Sequence, residues 1–156
     1  QLRDANIAGW VRRKQELTVA LLADAPRLFP GLAALIRRLQ PNTRLAVVST
    51  TWRANIETVL RAAGLADAFE LVVAKEDVEA PKPDPACYRL ALARLRLSAP
   101  AAVALEDSPT GIASARAAGL RPVAVGHRRP PGDWNGTAPY LPDFTDIDAV
   151  LRTLEF

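Results

Sequence analysis

The segment AAVALEDSPTG, residues 101–111, decides the fold: an apolar run ends in two acidic residues, which a Ser-Pro-Thr-Gly turn follows. The run 101–105 is too short for a helix and does not alternate with polar residues, which is typical of a strand buried on both faces. Similar runs occur at residues 45–48, Leu71–Val73 and 122–125. Because amphipathic segments with helical spacing separate these runs, the sequence predicts an α/β fold with a parallel sheet and crossover helices.

The string RAAGL marks the ends of two of these helices, since it occurs at residues 61–65 and again at 116–120, each time before a predicted strand. Gly64 and Gly119 are predicted to take the left-handed conformation that ends a helix without a side-chain clash. The repeat is therefore structural rather than catalytic.

The flanking segments add helices but no second complete domain. Residues 8–23 predict a helix, the proline-bracketed residues 27–29 a hinge, and Leu32–Leu39 a second helix. Residues 129–142 are rich in Pro and Gly and predict an irregular loop, which a short helix over 147–154 follows.

The composition is that of one soluble globular domain, with 156 residues of which 49% are apolar and 24% charged. No apolar run approaches the roughly 18 to 20 residues that cross a bilayer, so we expect no membrane partner and a cytoplasmic location. The net charge of +3 is spread along the chain, and no aromatic residues interleave with the arginine pairs, so we expect no nucleic-acid partner. Cys87 is the single cysteine, which excludes an internal disulfide, and its apolar surroundings predict a core position.

Polar residues fall at the C-terminal ends of consecutive predicted strands, where open parallel sheets place their ligand crevice. Ser49, Thr50 and Thr51 stand between a strand and a helix, where hydroxyls and free amide groups suit a phosphate. The alternative is that they only cap the helix. Lys82 lies between two prolines, which fix the backbone and aim the ammonium group before a ligand arrives; the alternative is a solvated lysine in a surface turn.

Glu106 and Asp107 end the strand that begins at residue 101. Two adjacent carboxylates at a buried strand end repel each other unless a cation or hydrogen-bond donors compensate them. Mg²⁺ prefers a couple of carboxylates together with water and phosphate oxygens, so the pair predicts a magnesium site. The alternative is a turn in which Asp107 or Ser108 caps the following helix.

The order of these signals resembles motifs two, three and four of the haloacid dehalogenase superfamily, and most of all its beta-phosphoglucomutase and CbbY-like subgroup. The residues that carry the resemblance are Ser49-Thr50-Thr51, Lys82-Pro83-Asp84-Pro85 and Leu105-Glu106-Asp107-Ser108 with Gly111. The resemblance implies a Rossmann-like core of three layers over residues 26–156, with residues 1–25 as the remnant of a helical cap and residues 27–29 as its return hinge.

The resemblance also implies roles for the site residues. Ser49, with Thr50 and Thr51, would bind the substrate's phosphoryl group, Lys82 would be a catalytic residue that neutralises its charge, and Glu106 and Asp107 would hold Mg²⁺. The implied activity is that of a phosphatase acting on a small phosphorylated metabolite, a sugar phosphate or bisphosphate. A phosphomutase and a non-catalytic module that binds phosphate or metal are the alternatives.

One expected motif does not occur in the sequence. The family's nucleophilic aspartate follows the first strand in an Asp-x-Asp-Gly-Thr loop, and the 156 residues contain no such string. The resemblance therefore implies that the first central strand and most of the cap are absent and that the chain alone is inactive. Either the chain is part of a longer protein, or the two inner strands, ending near Ser49 and Glu106, close directly on each other. His127, Trp52 and Trp134 are expected to be structural.

Overall fold

The computed structural model describes residues 2–24, 26–126, 131–134 and 138–154. The helices are α1 (Leu2–Asp24), α2 (Leu32–Leu39), α3 (Arg53–Ala62), α4 (Ala86–Leu95), α5 (Pro109–Ala117) and α6 (Ile147–Leu154). The strands are β1 (Ala46–Val48), β2 (Leu71–Val73), β3 (Val103–Glu106), β4 (Arg121–Val125) and β5 (Tyr140–Leu141). Strands and helices alternate from β1 to β4, which confirms the α/β class.

All the described strand pairs are parallel, as the non-alternating apolar runs predict. In the first sheet β1 pairs with β2, with Val47 opposite Val72. In the second sheet the order is β3, β4, β5, with Leu105 opposite Val123. Parallel strands require a long return path, which α3 provides between β1 and β2 and α5 between β3 and β4.

Helices cover both faces of the second sheet. Val123 and Val125 of β4 belong to a buried cluster with Leu35 of α2 and Val150 of α6. Ala124 lies between them in the chain, and it packs with Ile112 of α5. Because successive side chains of a strand point to opposite faces, α2 and α6 lie on one side and α5 on the other. The core is therefore layered helix, sheet, helix, in agreement with the predicted Rossmann-like architecture.

An apolar groove separates the two sheets. β1 and β3 do not pair with each other in the described ranges, and a cavity of about 450 Å³ lies between them. Its lining includes Val48 of β1, Leu105 of β3, Leu35 of α2 and Leu92 of α4. The alternative in which the two inner strands close directly on each other is therefore wrong. Helix α4 contacts β1 and β2, and its buried residues also cluster with Ala104 of β3, so helix packing rather than strand pairing joins the two sheets.

Most predicted boundaries agree with the structure to within a few residues. Gly64 and Gly119 have φ angles of 66° and 84°, as predicted for residues that end helices, and Cys87 is buried in the core. The main difference is β5, which lies in the stretch predicted to be an irregular loop. Leu141 is buried there and pairs with the last residue of β4, so burial on the edge of the sheet outweighs the Pro- and Gly-rich composition.

The N-terminal helix α1 is longer than predicted and packs against α3, where Gln15 Nε2 donates to Asn55 Oδ1 over 2.6 Å. None of the described helices combines the length and the apolar character needed to span a membrane.

Candidate active site

The side chain of Lys82 connects the tips of the two sheets. Its Nζ donates to the carbonyl oxygen of Val48, the last residue of β1, over 3.0 Å. The same atom donates to Oε1 of Glu106, the last residue of β3, over 2.5 Å. The side chains of Lys82 and Glu106 are only 10% and 7% exposed, so this ion pair is largely removed from water.

The carboxylate of Glu106 has two further close neighbours. The hydroxyl of Tyr88, on α4, donates to the same Oε1 atom that accepts from Lys82. Gly111, on α5, approaches the carboxylate so closely that a Cβ atom at this position would overlap Oε2. A buried carboxylate is unfavourable unless it is paired and hydrogen-bonded, and these contacts show how the fold accommodates Glu106. Burial, followed by the charge of Glu106, raises the pKa of Tyr88, so the phenol remains a protonated donor.

The turn after β1 contains the predicted phosphate-binding hydroxyls. The backbone N–H of Ser49 continues the ladder by donating to the carbonyl of Val73 over 2.9 Å, and Ser49 Oγ accepts from the N–H of Thr51 over 3.1 Å. Ser49 is half-buried, whereas Thr50 and Thr51 are exposed. These hydroxyls stand at the same end of β1 as Lys82.

The helix after this turn is capped from elsewhere in the chain. The residue that precedes α3 is Trp52, which makes no side-chain cap, and the N–H of Arg53 donates to the Glu76 carboxylate over 3.1 and 3.2 Å. The alternative in which residues 49–51 merely cap this helix therefore differs from what the structure shows. In the described contacts their hydroxyls do not cap the start of α3.

The turn after β3 contains one residue that caps a helix, Ser108, and one exposed carboxylate, that of Asp107. Ser108 is the cap of α5, because its Oγ accepts from the N–H of Gly111 over 3.1 Å. Asp107 precedes it and is exposed, next to the buried Glu106. The described residues contain no group of three or more His, Cys, Asp or Glu side chains placed to hold a metal. Glu106 and Asp107 nevertheless fit Mg²⁺, which is commonly held by one or two carboxylates while water and phosphate oxygens complete its shell.

The loop that carries Lys82 is fixed to α5. Ser114, which is fully buried, donates from Oγ to the carbonyl oxygen of Asp84 over 2.6 Å. Asp84 Oδ1 accepts from the N–H of Ala86 over 2.8 Å, at the start of α4. The position of Lys82 therefore depends on residues from two helices as well as on the flanking prolines.

Sequence reasoning missed two of the residues that hold this site together, Tyr88 and Ser114. The sequence pattern places Tyr88 on the apolar face of a predicted helix and indicates no role in the site. A buried phenol requires a hydrogen-bond partner, so a tyrosine on a core face six residues after Lys82 was a usable signal. Ser114 offered no comparable signal, because serine is common in helices that pack closely.

The other residues considered for a role lie elsewhere. His127 is outside the described residues. Trp134 is buried, as expected for a structural residue, whereas Trp52 is 41% exposed and has Lys75 Nζ 4.5 Å from its ring centroid. Two aspartates near the C-terminus serve local structure: Asp143 Oδ1 accepts from the N–H of Thr145, and Asp146 Oδ1 accepts from the N–H of Ala149 at the start of α6.

Comparison with known proteins gives close relatives over most of the chain. The family model for haloacid dehalogenase-like hydrolases matches residues 3–125. Protein CbbY of Rhodobacter capsulatus is 38% identical over 148 residues, which cover 91% of this chain and 65% of that protein. The crystal structure of CbbY from Rhodobacter sphaeroides in complex with phosphate has a TM-score of 0.83 and 36% identity, covering 96% of this chain and 69% of the other.

A second crystal structure, of a CbbY variant from Rhodobacter sphaeroides in complex with xylulose-(1,5)bisphosphate, has a TM-score of 0.80 and 38% identity. It covers 90% of this chain and 65% of the other, so the chain spans about two thirds of the length of these relatives. The family match, the fold and the order of the motifs agree. The chain belongs to the haloacid dehalogenase-like hydrolase family and is close to its CbbY members.

Proposed function

We propose that the chain is the core of a Mg²⁺-dependent phosphatase that hydrolyses a small phosphorylated metabolite, a sugar phosphate or bisphosphate. The observation that carries the proposal is the position of Lys82, whose ammonium contacts the tips of both β1 and β3. Hydroxyls, an ammonium and a pair of carboxylates near the tips of β1 and β3 are groups that support phosphoryl transfer, because the reaction depends on positioning and charge stabilisation.

The turn after β1 would bind the phosphoryl group. The hydroxyls of Ser49, Thr50 and Thr51 are the donors, and the hydrogen bond from Thr51 N–H to Ser49 Oγ already fixes the shape of the turn. Lys82 would neutralise charge on the phosphoryl oxygens. A partly buried ammonium acts more strongly on an anion than an exposed one does, because less water screens it.

The charge balance of the site supports the proposed divalent cation. Glu106 and Asp107 bring two negative charges, and Lys82 brings one positive charge, so the three side chains alone repel a phosphate dianion. Glu106 and Asp107 would hold Mg²⁺, and the bound ion would neutralise charge on the phosphoryl oxygens. Lys82 would then be shared between the carboxylate and the substrate.

The substrate class rests on the relatives and on a cleft beside the site. CbbY has been crystallised with phosphate and with xylulose-(1,5)bisphosphate, which supports a phosphorylated sugar as the ligand here. A cleft of about 700 Å³ lies between α1 and Trp52, the residue after the phosphate-binding turn, with Val11, Gln15 and Val19 in its lining. We assign residues 1–25 to a helical cap that faces the substrate across this cleft, and residues 27–29 to its hinge.

The nucleophile would come from a further strand. The groove between the sheets presents the unpaired edges of β1 and β3, which run in the same direction as their own partners, and its lining is apolar. We propose that a parallel apolar strand occupies this groove and ends in the nucleophilic aspartate beside Lys82. On this proposal the 156 residues alone do not hydrolyse a phosphate ester.

The roles of the site residues are tested in the complete gene product, with an aryl phosphate as substrate and Mg²⁺ present. Lys82→Ala is expected to lower kcat/KM by about 100- to 1000-fold, the usual effect of removing a group that stabilises transition-state charge. Arg37→Ala is the control, because this cation is exposed on α2 rather than at the tips of β1 and β3. Equal activity of the Lys82 and Arg37 variants would contradict the proposed role of Lys82.

The strand proposal is tested by comparing the complete gene product with the chain that begins at Gln1. Hydrolysis by the complete product alone supports it, and hydrolysis by the shorter chain contradicts it. The second candidate is a module that binds phosphate or Mg²⁺ without catalysis, because the Lys82–Glu106 pair by itself supplies no nucleophile for a phosphate ester. That function would be shown by a complete product that binds inorganic phosphate but hydrolyses no aryl phosphate.

A further inference from the structure

Tyr88 contacts both members of the Lys82–Glu106 pair. Its hydroxyl donates to Oε1 of Glu106, and its ring centroid lies 4.8 Å from Nζ of Lys82. The residue is buried on α4, where it packs in the same cluster as Cys87 and Ala91. A single side chain, held by the core, therefore touches the proposed metal ligand and the proposed phosphate-binding cation.

We infer that Tyr88 is a positioning residue that fixes the orientation of the Glu106 carboxylate and thereby sets the affinity of the site for Mg²⁺. This inference rests on the proposed function, because it assigns the cation to Glu106 and Asp107. No contact between Tyr88 and a substrate is involved. Its action passes through Glu106.

The hydrogen-bond geometry gives the mechanism. Oε1 accepts from both Lys82 and Tyr88, and a carboxylate oxygen offers about two lone-pair positions, so the described contacts already use this atom fully. Two donors on one oxygen fix the rotation of the carboxylate. The backbone of Gly111 lies against the carboxylate, since a Cβ atom at this position would overlap Oε2, so Oε2 is confined on this side and Oε1 is confined by its two donors. Glu106 therefore presents Oε2 in a defined direction.

A phenylalanine would fill the same core position, so packing does not explain the hydroxyl. Burying a hydroxyl is unfavourable unless it has a partner, and in the described contacts that partner is Glu106. The cation–π contact of the ring with Lys82 would survive in phenylalanine. Tyr88→Phe therefore removes the contact with Glu106 and leaves the ring contact with Lys82 in place.

The test is Tyr88→Phe in the complete gene product, with Mg²⁺ binding measured by isothermal titration calorimetry. Loss of a hydrogen bond to a metal ligand typically weakens metal affinity about 10- to 100-fold, and we expect a loss in this range. In kinetic assays the Mg²⁺ concentration for half-maximal activity should rise in parallel, and kcat at saturating Mg²⁺ should largely recover. Tyr140→Phe, which removes the phenol hydroxyl of a tyrosine in β5, is the matched control and should bind Mg²⁺ with unchanged affinity.

Each result supports or overturns the proposed role of Tyr88. Equal Mg²⁺ affinity in the unmodified protein and in Tyr88→Phe overturns the role of Tyr88 and leaves the proposed function standing. An unmodified protein that binds no Mg²⁺ overturns the proposed function together with this role. Circular dichroism precedes the titrations, and failure of Tyr88→Phe to fold would show that the hydroxyl is needed for the fold, which also overturns the narrower positioning role.

Discussion

Replacing Lys82 by methionine tests whether the ion pair at the strand tips is as buried as the structure shows. Methionine has a similar length and no charge, so the change removes the ammonium and leaves the stem's packing. Glu106, whose side chain is 7% exposed in the unmodified protein, then keeps Tyr88 as its described donor. Breaking a buried ion pair by removing one partner costs about 3 to 5 kcal/mol, because a buried charge is left uncompensated. We expect about 3 kcal/mol, the lower end, since Tyr88 still donates to the same oxygen.

The assay is urea unfolding followed by circular dichroism, with thermal unfolding as a second measurement. A loss of about 3 kcal/mol corresponds to a decrease in Tm of about 6 to 12 °C for a chain of this length. The double variant Lys82→Met/Glu106→Gln should recover about 2 kcal/mol, because neither charge then remains buried. Lys75→Met, at an exposed lysine, should cost less than about 1 kcal/mol. A cost below about 1 kcal/mol for Lys82→Met, or a double variant less stable than the single one, would refute the reasoning.

Two further predictions concern backbone space and pH. Gly111→Ala should destabilise the protein and weaken Mg²⁺ binding, because the new Cβ atom would overlap the Glu106 carboxylate. In Gly9→Ala, on α1, the new Cβ atom meets no atom within 4 Å, so this variant should be more stable by up to about 1 kcal/mol. Calorimetric unfolding of both variants measures the difference. The hydrogen bond from the N–H of Ala74 lowers the pKa of Asp77 below its ordinary 3.8, and the charges of Arg53 and Arg94 lower it further. The ionised Asp77 therefore stabilises the folded protein above pH 3.8, and this contribution is lost as the pH falls through the lower pKa of the folded state. The Tm of Asp77→Asn should therefore be lower than that of the unmodified protein at pH 7, and the two should converge below about pH 3.8, while a constant difference from pH 7 to pH 3 would contradict the assignment.

The strand-end rule accounts for what the sequence could predict of the site. Ser49 and Glu106 directly follow apolar runs, and parallel strands bring their C-terminal ends to the same side, so their proximity could be expected without coordinates. Lys82 is harder, because it lies in a loop rather than at a strand tip. The flanking prolines indicated a fixed position, and the structure shows its ammonium between the two strand tips.

Contacts between distant segments could not be read from local pattern. Glu76 occupies the start of α3 although it lies 23 residues from Arg53, and no motif links the two. Strand β5 gains its stability from pairing with β4 and from burial of Leu141, which a Pro- and Gly-rich composition does not reveal. Both cases depend on tertiary packing, and a propensity summed over neighbouring residues contains no information about it.

The split sheet and the position of Lys82 have one physical explanation. Two short parallel sheets with an apolar groove between them expose backbone donors and acceptors on the facing edges of β1 and β3, and such edges are unfavourable in an apolar environment unless they are paired. Lys82 holds the strand tips on both sides of the groove through Val48 and Glu106, so the C-terminal end of the groove is fixed in width. A strand entering parallel to β1 and β3 would satisfy both edges and end at the ammonium. On the proposed function, the aspartate at the end of that strand would be stabilised as an anion by Lys82 and, with Mg²⁺ offsetting the two acids, would meet the phosphoryl group.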